Sequence, residues 1–213
     1  MSATVSDAFA VCDGHVISDG VPYAPWSDVV TKGAEHIFVP SLDMPDDMLD
    51  ALIDRVLATG ARVMATCSQT LTEAGRIDAR FGKSPVMLLH AFGLLPFASV
   101  ASGVYLDKDD LSLMAQEGVP LIALPSFDAG NGYGVAPVFA AVERGVTVRL
   151  GTADGTFNRS RNIIYEASVL RLLTSAQLNR RSAVDVRALA VMCLTANATA
   201  QQIEQTAQQI ERL

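Results

Sequence analysis

The sequence predicts an α/β fold built on a parallel sheet. Short apolar runs alternate with amphipathic stretches of helical spacing, the rhythm of strand–helix crossover units. The runs show little in–out alternation, as strands buried on both faces do. No low-complexity segment or flexible linker divides the 213 residues, so residues 1–213 read as one domain of about six such units.

Residues 8–12 form the first apolar run, stopped by the turn pair Asp13-Gly14. Residues 36–39 form the second, stopped by Pro40. Pro45 stands at a first helical position with Asp46 and Asp47 in the first turn. Met48, Leu49, Leu52, Ile53, Val56 and Leu57 then recur at helical spacing until Gly60. Residues 62–66 read as a strand, and 72–81 and 85–95 as helices. Residues 99–106 read as a strand, followed by a helix marked by Asp109, Leu111, Leu113 and Met114 and stopped at Gly118. Residues 121–124 form a strand ended by Pro125. Residues 137–144 form a helix closed by Gly145, and 146–150 a strand whose exit loop is Gly151-Thr152-Ala153-Asp154-Gly155. Helices are expected over 162–173 and 182–197, with a polar helix after Thr199.

Half of the residues are hydrophobic and 18% are charged, too apolar a chain for disorder. The net charge is −7, which argues against nucleic acid and anionic membrane surfaces as partners. The N-terminus has no basic, then apolar, leader pattern. The uncharged stretch 84–106 is broken by Pro85, Pro96, Gly93 and Gly103, unlike a membrane span. A cytoplasmic protein is the expectation. Cys12, Cys67 and Cys193 are odd in number and far apart, unlike a disulfide framework or zinc ribbon.

In parallel α/β folds ligands sit beyond the C-terminal ends of the strands. The residues to weigh are therefore those of the strand exits. Asp154 is a candidate catalytic carboxylate, set against an Asp-Gly turn residue. Cys67 is a candidate pocket residue, set against a buried structural thiol. Thr66, Gln69, Ser102, Tyr105, Ser126, Asp128 and Asn158 complete the candidate substrate-binding set. Among the histidines, His90 on an apolar helix face reads as a core or interface residue, His36 lies at the wrong strand end, and His15 reads as a loop residue. Gly130-Asn131-Gly132-Tyr133-Gly134 lacks the Lys-Ser/Thr of a phosphate loop. Arg159 and Arg161 read as solvated.

Several of these exits, read together, resemble the metal-dependent amidohydrolase superfamily, in its chlorohydrolase and cytosine-deaminase-like branch. Leu124-Pro125-Ser126-Phe127-Asp128 with Gly134-Val135-Ala136-Pro137-Val138 looks like that branch's Cys-Pro-Ser-Ser-Asn and Gly-Ile-Ala-Pro-Val. Leu150-Gly151-Thr152-Ala153-Asp154-Gly155 resembles its strand-eight Gly-Thr-Asp-Gly. Ser102-Gly103-Val104-Tyr105-Leu106 stands where the branch has His-Cys-Val-His-Leu, and Met64 to Thr70 where it has His-x-His-x-x-Glu-Thr. Met44-Pro45-Asp46-Asp47 and the segment 85–95 match helices of the same branch. The likeness runs from about Ala8 to about Asn197.

The resemblance implies an incomplete (β/α) barrel of about six parallel strands with C-terminal helices and no framing β-sandwich. It also implies a metal-activated water, for which imidazole and carboxylate ligands are needed. Here the ligand positions fall on Thr66 and Ser102, and on Ala153 or Asp154. The proton-shuttling glutamate falls on Gln69, which does not titrate. The expectation is a domain with no metal and no cofactor. It keeps a small-molecule pocket for binding or assembly, as a homo-oligomer or in complex with another amidohydrolase-like chain. A metal-independent enzyme and one half of a split C–N hydrolase are the alternatives.

Overall fold

The computed structural model describes residues 6–12, 15–25, 35–195 and 197–212. The expected Asp13-Gly14 turn and the side chain of His15 lie outside them. Six strands form a continuous parallel sheet: β3 (Val21–Pro25), β4 (His36–Val39), β5 (Arg62–Cys67), β6 (Ala98–Ser102), β7 (Leu121–Ala123) and β8 (Val148–Leu150). Two more strands, β1 (Ala10–Cys12) and β2 (His15–Ser18), precede them as an antiparallel ribbon leading into β3. This hairpin is absent from the sequence-based expectation, which has one strand at 8–12 and none at Val21–Pro25.

The hairpin changes the edges of the sheet. Spatial order follows chain order from β1 to β8, and β1 reaches back to β8 through a parallel bridge between Ala10 and Ala153. The N–H of Ala8 donates to the Leu150 carbonyl and that of Ala153 to the Phe9 carbonyl, both at 2.9 Å. Gly151 makes this seam possible, because a Cβ there would meet Phe9 at 2.7 Å. An open parallel sheet would leave unpaired backbone groups at both ends; here the two ends are tied to each other within the chain.

Helices cover the outside: α1 (Asp46–Thr59), α2 (Leu71–Phe81), α3 (Pro85–Ala91), α4 (Lys108–Glu117), α5 (Pro125–Gly130), α6 (Val138–Glu143), α7 (Ile163–Gln177), α8 (Val186–Met192) and α9 (Ala200–Glu211). Their ends follow the expected chemistry. Gly60, Gly82 and Gly118 close α1, α2 and α4 in the left-handed conformation. Asp107 and Asp110 form a capping box on α4. α5 is the unexpected helix; it turns directly out of β7 at Leu124-Pro125. β6 stops at Ser102, short of the expected 106, because Ser102 and Gly103 both take positive φ, 66° and 68°.

Two apolar clusters result. The larger lies between sheet and helices and includes Ile37, Val63, Ala65, Cys67, Val100 and Leu121. The smaller fills the inside of the sheet with Phe9, Met64, Ala101, Ile122, Leu124 and Ala153, backed by Phe38 and Phe127. Among the described residues no helix is long and apolar enough to cross a membrane.

Candidate functional site

The exits of β5, β6 and β8 share an uncommon backbone feature. Ser68, Ser102 and Ala153 all have positive φ, at 51°, 66° and 49°. Such a conformation costs free energy in a residue with a side chain, and it clusters at functional sites. At β6 it has a visible consequence. Strand pairing sets Ser102 opposite Cys67, whose side chain lies in the helix-side core, whereas the Ser102 hydroxyl reaches the short helix that follows β7.

There it meets Asp128 on α5. Ser102 Oγ donates to Asp128 Oδ1 at 2.9 Å, and Gln69 Nε2 donates to the same oxygen at 3.2 Å. Asp128 is 1% exposed, and its other oxygen, Oδ2, is buried without a partner. Burial raises its pKa to about 7 against the lowering effect of the two hydrogen bonds, and the charge of Glu166 adds to the rise. Asp128, Ser102 and Gln69 are thus brought together from three strand exits. Thr66 lies on the inner face one residue before Cys67 and is also buried.

A second buried carboxyl follows the β5 exit. Glu73 on α2 accepts from Ser41 Oγ at 3.3 Å and from the backbone N–H groups of Gln69 and Ser68. Its Oε2 is buried without a partner, and burial lifts its pKa to about 7. The sequence signal was available: Glu73 follows Thr70 at capping-box spacing, and Thr70 does cap α2 by accepting from the Glu73 N–H.

The remaining candidates go elsewhere. Ser126 turns to Glu166, giving its N–H to Oε2 at 2.9 Å and its hydroxyl to Oε1 at 2.6 Å. Asn158 Nδ2 joins at 2.8 Å. Glu166, wholly buried, therefore fastens the β7 and β8 exits to α7; the lone acid in the apolar run Ile163 to Leu170 was its sequence signal. Cys67 is buried on the helix side of the sheet, and burial, then the charges of Glu73 and Asp110, push its thiol pKa well above the ordinary value. Asp154 is exposed, and its Oδ1 accepts the Thr156 N–H at 2.8 Å, the contact of an Asp-Gly turn. Arg161 binds the carbonyls of Ala153 and Asp154, each at 3.0 Å, while Arg159 and His90 are exposed.

Tyr105 anchors the segment that follows α5. Its hydroxyl donates to the Tyr133 carbonyl at 2.8 Å, and the Tyr133 N–H donates to the Asp128 carbonyl at 2.8 Å. The glycine-rich segment 130–134 is held down across the β6 and β7 exits by these two bonds. Just outside, a groove of about 440 Å³ passes Ser68, Tyr105, Lys83 and Asp107. Among the described residues, no group of three or more His, Cys, Asp and Glu is disposed to hold a metal ion.

A parallel (β/α) sheet whose strand exits converge on one buried polar centre is the arrangement of a (β/α)-barrel-type domain. In sequence and in fold the chain is similar to enzymes of the amidohydrolase superfamily. It is 35% identical over 107 residues to a 5-methylthioadenosine/S-adenosylhomocysteine deaminase of Thermococcus kodakarensis, covering 50% of this chain and 25% of that enzyme. Against the same-named enzyme of Desulforamulus reducens it is 29% identical over 145 residues, 68% of this chain and 30% of the relative. Its fold matches the zinc complex of atrazine chlorohydrolase from Arthrobacter aurescens with a TM-score of 0.65 at 19% identity, over 81% of this chain and 38% of that one. An amidohydrolase from Brucella melitensis gives 0.64 at 17% identity, over 82% and 38%. No protein-family model matches the chain. The chain spans about a quarter to a third of the length of these curated relatives.

Proposed function

We propose that this chain is a metal-free amidohydrolase-type domain that binds a small molecule bearing an amino or amidine group, with Asp128 as the receiving carboxyl. The chemistry of the strand exits supports the absence of a hydrolytic metal. Thr66, Gln69 and Ser102 offer hydroxyl or amide groups where such an ion needs imidazole and carboxylate, and Ala153 offers none. One carboxyl cannot hold it alone, so the residues present do not fit the group.

The observation that carries the binding reading is the unpaired, buried Oδ2 of Asp128 beside an oxygen already fixed by Ser102 and Gln69. In the ionised form of Asp128 that oxygen is an acceptor suited to an N–H donor, and the relatives named for methylthioadenosine point to an adenine-type nucleoside as its carrier. The ligand enters when the segment 131–134 lifts from Tyr105. With the ends of the sheet tied together by the hairpin, this reading requires no second chain to complete the sheet.

The test pairs metal analysis of the purified protein with calorimetric titration of 5-methylthioadenosine. Expected are less than one-tenth of an equivalent of zinc, binding that survives chelator, and loss of that binding in Asp128→Asn. Stoichiometric zinc with ammonia release would replace this reading with ordinary hydrolysis. A second reading, metal-independent proton transfer, is favoured by the Asp128 pKa of about 7, near the optimum for acid–base work at neutral pH. It predicts chelator-insensitive ammonia release that Asp128→Asn abolishes.

A further inference from the structure

The amino-terminal end of the barrel, opposite Asp128, holds a separate cavity of about 490 Å³. That volume lies in the range of small-molecule sites, roughly 300–1,000 Å³. Its floor is made by the strand starts, through Ser99, Ile122 and Arg149. The hairpin closes one side with Asp19 and Tyr23; Val191, Leu194 and Ile203, on and around α8 and α9, close the other. The wall is mostly apolar, and Val191 is 52% exposed at its rim.

Arg149 gives the cavity its chemistry. It pairs in register with Ile122, a member of the inner apolar cluster, so Arg149 shares that inner face. Its two Nη atoms are committed: each lies 2.8 Å from an Asp19 carboxylate oxygen, and Nη2 also meets Ser6 Oγ at 2.5 Å. Its Nε is buried and has no partner. A buried donor of this kind favours whatever acceptor can reach it. Because Asp19 already neutralises the guanidinium, a neutral oxygen fits better than a second carboxylate.

We infer that this cavity is a binding site for a small, largely apolar molecule carrying one carbonyl-type oxygen. The oxygen accepts from Arg149 Nε. The apolar body lies on Leu194 and Ile203, under Val191 and against the ring of Tyr23. The hairpin that ties the sheet together thus also builds a site, supplying both the wall and the carboxylate that orients the arginine. The site is independent of the Asp128 centre and stands or falls separately from it.

The probe is acetanilide, titrated into isotope-labelled full chain and followed by NMR, with n-propylbenzene as the partner lacking the oxygen. Acetanilide is expected to shift the Arg149 Nε–H signal and the methyls of Leu194 and Ile203 saturably. Propylbenzene is expected to bind about ten-fold more weakly, the loss of one hydrogen bond to a charged donor. Val191→Trp, a change at an exposed rim position, is expected to abolish the shifts while leaving the thermal midpoint unchanged. Equal affinity for both probes, shifts mapping to Ser102 and Asp128 instead, undiminished binding in Val191→Trp, or no shift up to the solubility limit would each overturn the proposal.

Discussion

The hydroxyl of Ser102 donates a 2.9 Å hydrogen bond to Oδ1 of Asp128, so the β6 and β7 exits meet at one buried carboxyl. Burial raises the pKa of Asp128 to about 7, and that of Glu73 likewise to about 7. For a carboxyl raised on folding, the neutral form is the one the fold favours. Its stabilisation is complete below the unfolded value near 4 and is lost as pH rises toward 7, then levels. The urea midpoint should therefore fall between pH 5 and pH 8. In Asp128→Asn the fall should be smaller, because Asn keeps an oxygen for Ser102 and carries no charge. The two proteins should match near pH 5 and diverge near pH 8. A wild-type midpoint that rises over this window would contradict the burial argument.

Glu166 is the point where the β7 and β8 exits are fastened to α7. Its carboxylate is wholly buried and accepts from Ser126 twice and from Asn158 once. Glu166→Ala would leave those neutral donors buried and unpaired, at a cost of about 1–3 kcal/mol for each that finds no new partner. Ser126→Ala removes one charge-assisted bond and should cost about 1.5–3 kcal/mol. Urea unfolding measures both. If Ser126→Ala leaves stability unchanged but weakens ligand binding, the hydroxyl serves the ligand and not the clamp.

How far the sequence could be read has a physical pattern. Apolar periodicity with Gly and Pro punctuation located β4, β5, β7 and α1 closely, because those signals are local. The hairpin escaped because its pairing to β8 is a contact between Ala10 and Ala153, across most of the chain, and because Val21-Pro22-Tyr23-Ala24-Pro25 contains two prolines, which argue against a strand. At the candidate centre, Ser102, Gln69 and Asp128 were legible as strand-exit residues. That Ser126 and Asn158 would turn to Glu166 was not, since spacing along the chain does not say which way a loop side chain faces. Arg149 escaped for another reason. An arginine within a strand is read as an edge charge, whereas here the hairpin brings Asp19 to it.

Tyr105 holds the segment 130–134 through one bond to the Tyr133 carbonyl, at a residue 39% exposed. Tyr105→Phe should cost less than about 1 kcal/mol in global stability. Its effect should appear locally. Limited proteolysis within 130–134 should accelerate several-fold, since cleavage tracks the population of the open loop. If this segment gates Asp128, the association rate of the ligand should rise in the same variant. Unchanged proteolysis would show that the Tyr133 N–H bond to Asp128 suffices to hold the loop.

Gly151 tests the seam between the hairpin and β8. A Cβ there would meet the Phe9 Cβ and carbonyl at 2.7 Å and Leu124 at 2.9 Å, so Gly151→Ala must push the N-terminal segment outward. The expected cost is about 1–3 kcal/mol, that of overpacking a close contact. Hydrogen exchange should quicken at the amides of Ala8 and Ala153, which bond across the seam, while the amides joining β5 to β6 keep their protection. Gly118→Ala is the control. That glycine has φ +68° with nothing within 4 Å, so the change should cost about 1–2 kcal/mol by backbone strain and leave the seam amides as they were. Equal behaviour of the two variants at Ala8 and Ala153 would mean that the hairpin does not dock on β8 through Gly151.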